Sequence, residues 1–222
     1  MREEERWAEM DRYIRDTLVR PDRVLDEAQQ ASREAGLPAI SVSAPQGALL
    51  QAFVRMVHAR RILEVGTLGG YSTIWMARGL PAEGRLISLE IDPKHAQVAR
   101  SNLARAGLQG IVEVRVGAAV ESLRAMVEAH EEAFDLVFID ADKPNNTAYF
   151  DRALELSHPG TAIVVDNVVR AGEVLDATST DPAVQGVRRL NERMATVAGL
   201  QVTQIQTVGE KGHAGFALAL VP

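Results

Sequence analysis

Several residue types are absent or scarce in this chain of 222 residues. It contains no cysteine, so disulfide bonds and thiolate metal sites are excluded. No apolar run is long enough to cross a membrane. The acidic start MREEERWAEMDR is unlike a signal peptide. We therefore expect a cytoplasmic location without membrane attachment.

Lysine is scarce as well: Lys94, Lys143 and Lys211 are the only lysines, and the other basic side chains are mostly arginine. The net charge of -6 argues against nucleic-acid binding by bulk electrostatics, although a local basic patch remains compatible with it. Aromatic residues make up only 5%, which gives no sign of a stacking platform. A hydrophobic content of 46% is ordinary for a soluble globular protein.

The chain divides into a helical beginning and an alternating remainder. Three amphipathic segments come first, and one helical face of the first carries Trp7, Met10, Ile14 and Leu18. Core packing is the simplest interpretation of these segments. Apolar strands then alternate with helical segments: RILEVG, GRLISLEID, IVEVRVG, FDLVFID and TAIVVDN. This order predicts an α/β protein with a parallel sheet covered on both faces.

The end of the chain has a different pattern. QVTQIQTV and GFALALV flank the turn-like GEKGHA, which predicts an antiparallel hairpin at the sheet edge. Residues 168–194 are interpreted as a loop that shapes part of an acceptor pocket. No linker or repeat interrupts the chain, so we expect one domain over residues 1–222.

A glycine-rich segment, EVGTLGGYS, follows the first strand. Gly66 and Gly70 would let the backbone turn sharply and approach a ligand. The spacing differs from the G-x-G-x-x-G of dinucleotide binders, and Glu64 precedes the first glycine by two residues. A carboxylate there would repel a pyrophosphate and attract a cationic ligand.

An acid also ends the second strand. Glu90 stands where such folds place a carboxylate on ribose hydroxyls. Together with Glu64 and the glycine loop it predicts an S-adenosylmethionine site, with a nicotinamide cofactor as the alternative. In VGAAV, the small residues from Gly117 to Ala119 would let an adenine ring lie against the backbone. A plain tight turn explains that segment equally simply.

Polar side chains follow the fourth and fifth strands. Asp140 ends one strand, and Asp166 and Asn167 end the next. Neighbouring strand ends should bring them together, and two carboxylates with an amide oxygen suit Mg2+ or another divalent cation. The alternative is that both acids merely cap the following helices.

Lys143 stands three residues after Asp140 in a chain that otherwise favours arginine. Arginine cannot release its proton in proteins, whereas lysine can when a nearby cation disfavours its charge. Lys143 is therefore a candidate general base. The alternative is a surface lysine paired with Asp142.

These motifs together resemble the class I, metal-dependent O-methyltransferases, the group of catechol and caffeoyl-CoA O-methyltransferases. The resemblance is carried by LEVGTLGGYS, SLEID, FIDADK followed by Asn145, and VVDN. It implies a Rossmann-like fold with a seven-stranded, mostly parallel sheet and an antiparallel last strand. Residues 1–58 would form N-terminal helices and a cap, and residues 59–222 the core. Bacterial relatives are commonly homodimers.

The resemblance also implies residue roles. S-adenosylmethionine would contact Val42, Glu64, Gly66, Thr67, Ser72, Glu90, Ala118 and Asp140, with Asp142 near cofactor or substrate. The divalent ion would bind Asp140, Asp166 and Asn167, and Lys143 would be the catalytic base. The segment Ser41–Gly47 would close over the methionine end of the cofactor.

Some positions depart from the family pattern. Asn146 stands where relatives often have tyrosine, and the run after the Asp-Asn pair carries Arg170 instead of the usual tryptophan. His213 stands in the last loop, where relatives often have Asp-Gly. Arg170 and His213 are expected in acceptor-pocket loops, so they bear on the substrate and not on the chemistry.

The sequence thus predicts methyl transfer to a hydroxyl of a small catechol-like or phenolic acceptor. Four alternatives stay open: a metal-independent methyltransferase, a tRNA (hydroxyuridine-type) O-methyltransferase, a nicotinamide-dependent oxidoreductase and a non-catalytic binding module. The sequence does not name the acceptor.

Overall fold

The computed structural model describes residues 2–222. The helices are α1 Glu3–Ile14, α2 Arg23–Glu34, α3 Ala44–Met56, α4 Tyr71–Ala77, α5 Pro93–Arg105, α6 Ala119–Glu128, α7 Asn146–Glu155 and α8 Pro182–Ala195. The strands are β1 Arg61–Val65, β2 Arg85–Glu90, β3 Val112–Val116, β4 Phe134–Ile139, β5 Ser157–Asp166, β6 Gln201–Gly209 and β7 Gly212–Leu220. Within residues 2–222, no helix has both the length and the apolar character needed to cross a membrane.

The strands form one sheet in the order β3-β2-β1-β4-β5-β7-β6. Strands β1 to β5 pair in parallel, and β7 runs antiparallel to both of its neighbours. The predicted α/β fold with a seven-stranded sheet and a reversed last strand is confirmed. The chain moves outward from β1 to β3 and then crosses to β4 on the other side of β1. In such sheets, ligands bind at the strand ends beside this switch in order.

The strands are apolar because both faces of the sheet are covered. In β4, Leu136 and Phe138 join the core beneath helices α2 to α5, while Val137 and Ile139 join the core beneath α6 to α8. All four side chains are at most 1% exposed. This burial fixes the end of β4, and with it the position of Asp140.

The interpretation of residues 168–194 as a loop is wrong for its second half. Pro182–Ala195 forms α8, which Asp181 caps by accepting hydrogen bonds from the backbone NH groups of Ala183 and Val184. One face of the helix is buried against the sheet, and it carries Val184, Val187, Leu190 and Met194. The spacing of these residues is helical, so the signal was present in the sequence.

The predicted C-terminal hairpin is confirmed with a tighter turn. Only Glu210 and Lys211 connect β6 to β7, because Gly212 already belongs to β7. The hairpin therefore places Lys211 at its tip.

Candidate active site

A cavity of about 970 Å³ opens at the carboxyl ends of β1, β2, β4 and β5, beside the switch in strand order. Of the residues assigned from the sequence, the cavity is lined by Val42, Gly66, Thr67, Ser72, Glu90, Ala118, Asp140, Asp142, Lys143 and Asn167. Asp166 lines a smaller cavity of about 210 Å³ that shares Asn167 with the first. Glu64 lines neither cavity.

The glycine loop brings the ends of β1 and β4 together. Gly66 has φ of +100°, and a β carbon there would overlap the backbone carbonyl oxygen of Asp140. Any other residue would be strained and would push the two strand ends apart. The loop therefore sets the distance between the predicted cofactor region and the acid at the end of β4.

Glu64 is completely buried beneath this loop. Its carboxylate accepts hydrogen bonds from the hydroxyl groups of Ser72, Thr73 and Ser88 at 2.5 to 2.6 Å. Burial raises the pKa of Glu64 to about 7, although these hydrogen bonds favour the charged form. Glu64 thus holds the loop and α4 in place, and its direct contact with a cofactor stays a prediction.

Glu90 connects the end of β2 to the glycine loop. Its Oε2 accepts hydrogen bonds from the backbone NH groups of Thr67 at 3.2 Å and Leu68 at 2.7 Å. Its Oε1 accepts one from the backbone of Asp92 at 2.9 Å. A carboxylate offers about four acceptor positions, so roughly one is left for a ligand hydroxyl. His95, which also lines the cavity, lies with Nδ1 3.6 Å from that Oε1.

The acids at the ends of β4 and β5 lie together, as predicted. Asp140 Oδ1 accepts a hydrogen bond from Nδ2 of Asn167 at 3.1 Å and lies 3.0 Å from Nζ of Lys143. Asp166 is 4% exposed, and burial, reinforced by the charge of Asp140, raises its pKa to about 6. Two carboxylates in this proximity repel each other, and a cation between them would relieve the repulsion.

These side chains fit a divalent cation that prefers oxygen. The Asn167 amide donates through its nitrogen, which leaves its oxygen free to act as a ligand. Within residues 2–222, no group of three or more histidine, cysteine or carboxylate side chains gathers in a metal-binding arrangement. An ion here would therefore rely on Asp140, Asp166, Asn167 and further oxygen donors from water or substrate.

Lys143 is buried and does not pair with Asp142. It is 8% exposed, and its ion pair is with Asp140. Asp142 instead accepts hydrogen bonds from the hydroxyl of Tyr149 and from Nδ2 of Asn145. The alternative of a surface lysine paired with Asp142 is therefore wrong. Lys143 points its amine at the cluster of acids beside the cavity.

The cavity is also lined by residues that were not assigned a role from the sequence, among them Tyr71, His95, Tyr149 and Lys211. The rarity of lysine was the one available signal for Lys211. Its Nζ donates to the backbone carbonyl of Ile40 at 2.9 Å and so connects the hairpin tip to the segment before Ser41. Arg170 lines the cavity as expected. His213 does not, because it lies within β7 and contacts the side chain of Gln206.

Comparison with known proteins agrees with this architecture. The profile of the O-methyltransferase family matches residues 16–212. The chain is 53% identical over 212 residues to the catechol O-methyltransferase of Niastella koreensis, covering 96% of each chain. The solved O-methyltransferase from Bacillus cereus in complex with SAH superposes with a TM-score of 0.97 and 52% identity, covering 99% of this chain and 100% of the other.

A second solved structure is as similar. The O-methyltransferase TomG from Streptomyces achromogenes, in complex with SAM, has a TM-score of 0.96 and 50% identity and covers 100% of this chain and 99% of its own. This chain belongs to the O-methyltransferase family. The predicted family and enzyme class are confirmed, and a nicotinamide-dependent oxidoreductase does not fit them.

Proposed function

We propose that this protein transfers a methyl group from S-adenosylmethionine to one hydroxyl of a small catechol, and that it requires a divalent cation. The observation that carries the proposal is the cluster of Asp140, Lys143 and Asn167 on the same cavity as the glycine loop. The relative named catechol O-methyltransferase and the neighbours bound to SAH and SAM support it.

The cofactor would lie over the ends of β1 and β2. Glu90 would accept a hydrogen bond from a ribose hydroxyl, and the small residues near Ala118 would border the adenine. Val42 and the segment that follows it would cover the methionine end, while Gly66, Thr67 and Ser72 would line the floor. Asp140 and Asp142 would lie near the methyl group of the cofactor that is transferred, next to Lys143.

Lys143 would remove the proton from the attacking hydroxyl as it reacts. Asp140 lies 3.0 Å from Nζ and would hold the amine in position. When bound, the divalent cation would supply Lewis-acid chemistry and a template for the two hydroxyl oxygens. The cavity would add the advantage of placing both reactants in attack geometry. No covalent enzyme intermediate is required.

The test is methyl transfer from labelled S-adenosylmethionine to catechol after removal of metal with a chelator. We expect transfer to fall to background and to return when Mg2+ is added in excess. Calorimetric binding of S-adenosylmethionine should change little. Full activity in excess chelator would eliminate the metal requirement while leaving the methyltransferase assignment intact.

Substitutions test which residues bind the divalent cation. Asp166→Asn should weaken Mg2+ binding, measured directly on the protein without substrate, and should lower activity at limiting Mg2+. Asp26→Asn, an exposed acid on α2, is the matched control and should behave as the wild type. Unchanged Mg2+ affinity in Asp166→Asn would show that the ion is held elsewhere.

We also propose a homodimer of single-domain, cytoplasmic chains. The edge strand β6 exposes Val202, Ile205 and Val208, and α1, which contacts β6, exposes Met10 and Tyr13. An exposed apolar edge strand invites pairing with another chain. Light scattering after size exclusion should give the dimer mass, and Ile205→Lys should shift it toward the monomer. A monomer mass for the wild type would contradict the proposed homodimer.

A further inference from the structure

We propose that the acceptor carries a carboxylate on its aromatic ring or on a short ring substituent, and that Arg170 binds it. This inference rests on the proposed function and specifies its substrate. Arg170 follows β5 on the segment after the predicted metal ligands and lines the same cavity as Lys143. A carboxylate is the planar anion that a guanidinium group binds through two parallel hydrogen bonds.

Arg170 carries a donor that lacks a partner. Within residues 2–222, its Nε atom is buried and has no hydrogen-bond partner. Burying a charged donor without a partner is costly, and arginine cannot lose its charge to avoid that cost. The residue is otherwise half-buried, and its two terminal nitrogen atoms are not among the buried, unpartnered donors. An anion in the cavity would therefore meet an accessible guanidinium group.

The acids of the cavity are already engaged: Glu90, Asp92, Asp140 and Asp142. Glu90 and Asp92 accept hydrogen bonds from backbone NH groups. Asp140 is bonded to Lys143 and Asn167, and Asp142 to two side chains of its own segment. None of these hydrogen bonds involves Arg170.

The backbone at Arg170 is held in an unfavourable conformation. Arg170 and Ala171 have φ of +52° and +54°, and Gly172 follows at +87°. A residue other than glycine in this region costs on the order of 1 kcal/mol or more. The conformation persists because the segment is tied down on both sides: Val168 donates to the carbonyl of Gly215, and Arg188 donates to the carbonyl of Val174. This segment carries Arg170 at the wall of the cavity.

Lys211 adds positive charge from a second element. It lines the same cavity, and its one hydrogen bond within residues 2–222 goes to the carbonyl of Ile40. Burial lowers the pKa of Lys211, while the charges of Asp140 and Asp166 oppose that effect. When it is protonated, Lys211 would raise the positive potential felt by an acceptor carboxylate without being its direct anchor.

The cofactor's own carboxylate is the competing anion. Most of the predicted cofactor residues lie on segments at the ends of β1, β2 and β3, whereas Arg170 follows β5, which is separated from β1 by β4. Asp140 and Lys143, at the end of β4, stand between the two regions. This order favours the acceptor as the ligand of Arg170, and the affinity for S-adenosylmethionine distinguishes the two cases.

The experiment compares 3,4-dihydroxybenzoate with 3,4-dihydroxybenzyl alcohol, which has a similar shape and no charge. For the wild type we expect a higher kcat/KM with the benzoate. Arg170→Met should lower that value roughly 10- to 100-fold, as for the loss of a charge-assisted hydrogen-bonded pair. With the alcohol, the same substitution should change kcat/KM by less than about threefold.

Two further variants serve as comparisons. With the benzoate, the kcat/KM of Arg170→Lys should lie between the values of the wild type and of Arg170→Met. Arg124→Met, on the exposed face of α6, should match the wild type.

Several outcomes would overturn the inference. These are equal kcat/KM for the two diols in the wild type, an equal loss for both in Arg170→Met, or a weaker affinity of that variant for S-adenosylmethionine. Circular dichroism shows whether the variant is folded, and Arg170→Lys provides the comparison if it is not. If the wild type methylates neither diol, the proposed function fails instead. Calorimetric binding of the two diols to the SAH-loaded protein then decides the inference, and equal affinities would reject it.

Discussion

The backbone of Gly186 in α8 lies directly against the carbonyl group of Lys143. A β carbon at Gly186 would overlap that carbonyl oxygen and would lie 2.6 Å from the carbonyl carbon and 2.9 Å from the α carbon of Pro144. The turn that presents the proposed base is thus supported from behind by a helix far along the chain. The support depends on the absence of a side chain.

Gly186→Ala should therefore damage the site, although alanine normally stabilises a helix relative to glycine by about 0.5–1 kcal/mol. Overpacking here should lower the free energy of unfolding by about 1–3 kcal/mol. It should also lower kcat, because the Lys143 turn must move. Glu192→Ala, on the exposed face of the same helix, is the control. A stabilised variant with full activity would show that the contact is not tight.

Replacing Lys143 by alanine or arginine should lower kcat by roughly 10²- to 10⁴-fold, which is the usual contribution of a general base. The rise of kcat with pH should flatten in both variants. Arginine keeps the positive charge but cannot accept the proton, so its failure would separate base catalysis from charge. Lys94→Ala is the matched control. An unchanged pH profile in Lys143→Ala would remove it as the base.

Replacing Glu90 by alanine should weaken the binding of S-adenosylmethionine roughly 10- to 100-fold, measured by calorimetry. Two effects combine, because the variant loses the proposed ribose contact and also the acceptor of two loop NH groups. The melting temperature should fall for the second reason. Glu83→Ala, an exposed acid before β2, should change neither quantity. Wild-type affinity in Glu90→Ala would show that the ribose assignment is wrong.

Glu64 should make stability depend on pH. Its folded-state pKa of about 7 lies above the ordinary value of 4.5, chiefly because it is buried. The stabilising contribution is fully present below about pH 4.5 and is lost as pH rises toward 7. In Glu64→Gln this part of the decrease should disappear, as measured by melting temperatures between pH 5 and pH 8. Parallel curves for wild type and variant would contradict the shifted pKa.

The sheet and the convergence of Asp140, Asp166 and Asn167 could be predicted from the sequence. Buried parallel strands are short apolar runs between helical segments, and the residues that follow adjacent strands meet at one edge. Asp140 and Asp166 are far apart along the chain. Their proximity could still be predicted, because the strands that they end are neighbours in the sheet.

The direction of the Glu64 side chain could not be predicted from the sequence. A strand buried on both faces has no polar side, so its pattern does not say in which direction a given side chain points. In the structure Glu64 points to three hydroxyl groups beneath the loop and not into the cavity. Two of these hydroxyls come from α4 and one from β2, and such a contact has no local sequence signature.

Lys211 and Gly186 were missed for related reasons. The contact of Lys211 with Ile40 spans 171 positions. No local pattern predicts it. Gly186 was hidden because the helical spacing of Val184, Val187, Leu190 and Met194 was interpreted as part of a pocket loop. The helical periodicity of these residues predicts their secondary structure better than their position near the expected site does.

The groups proposed for methyl transfer and those proposed for acceptor choice lie on different parts of the molecule. The former stand at the ends of buried strands, while Arg170 and Lys211 are carried by the segments that cover them. A change in a covering segment need not disturb the packing of the sheet. The protein is therefore suited to redesign, because variation confined to residues 170–175 and 210–211 would sample new acceptors while the transfer machinery stays as it is.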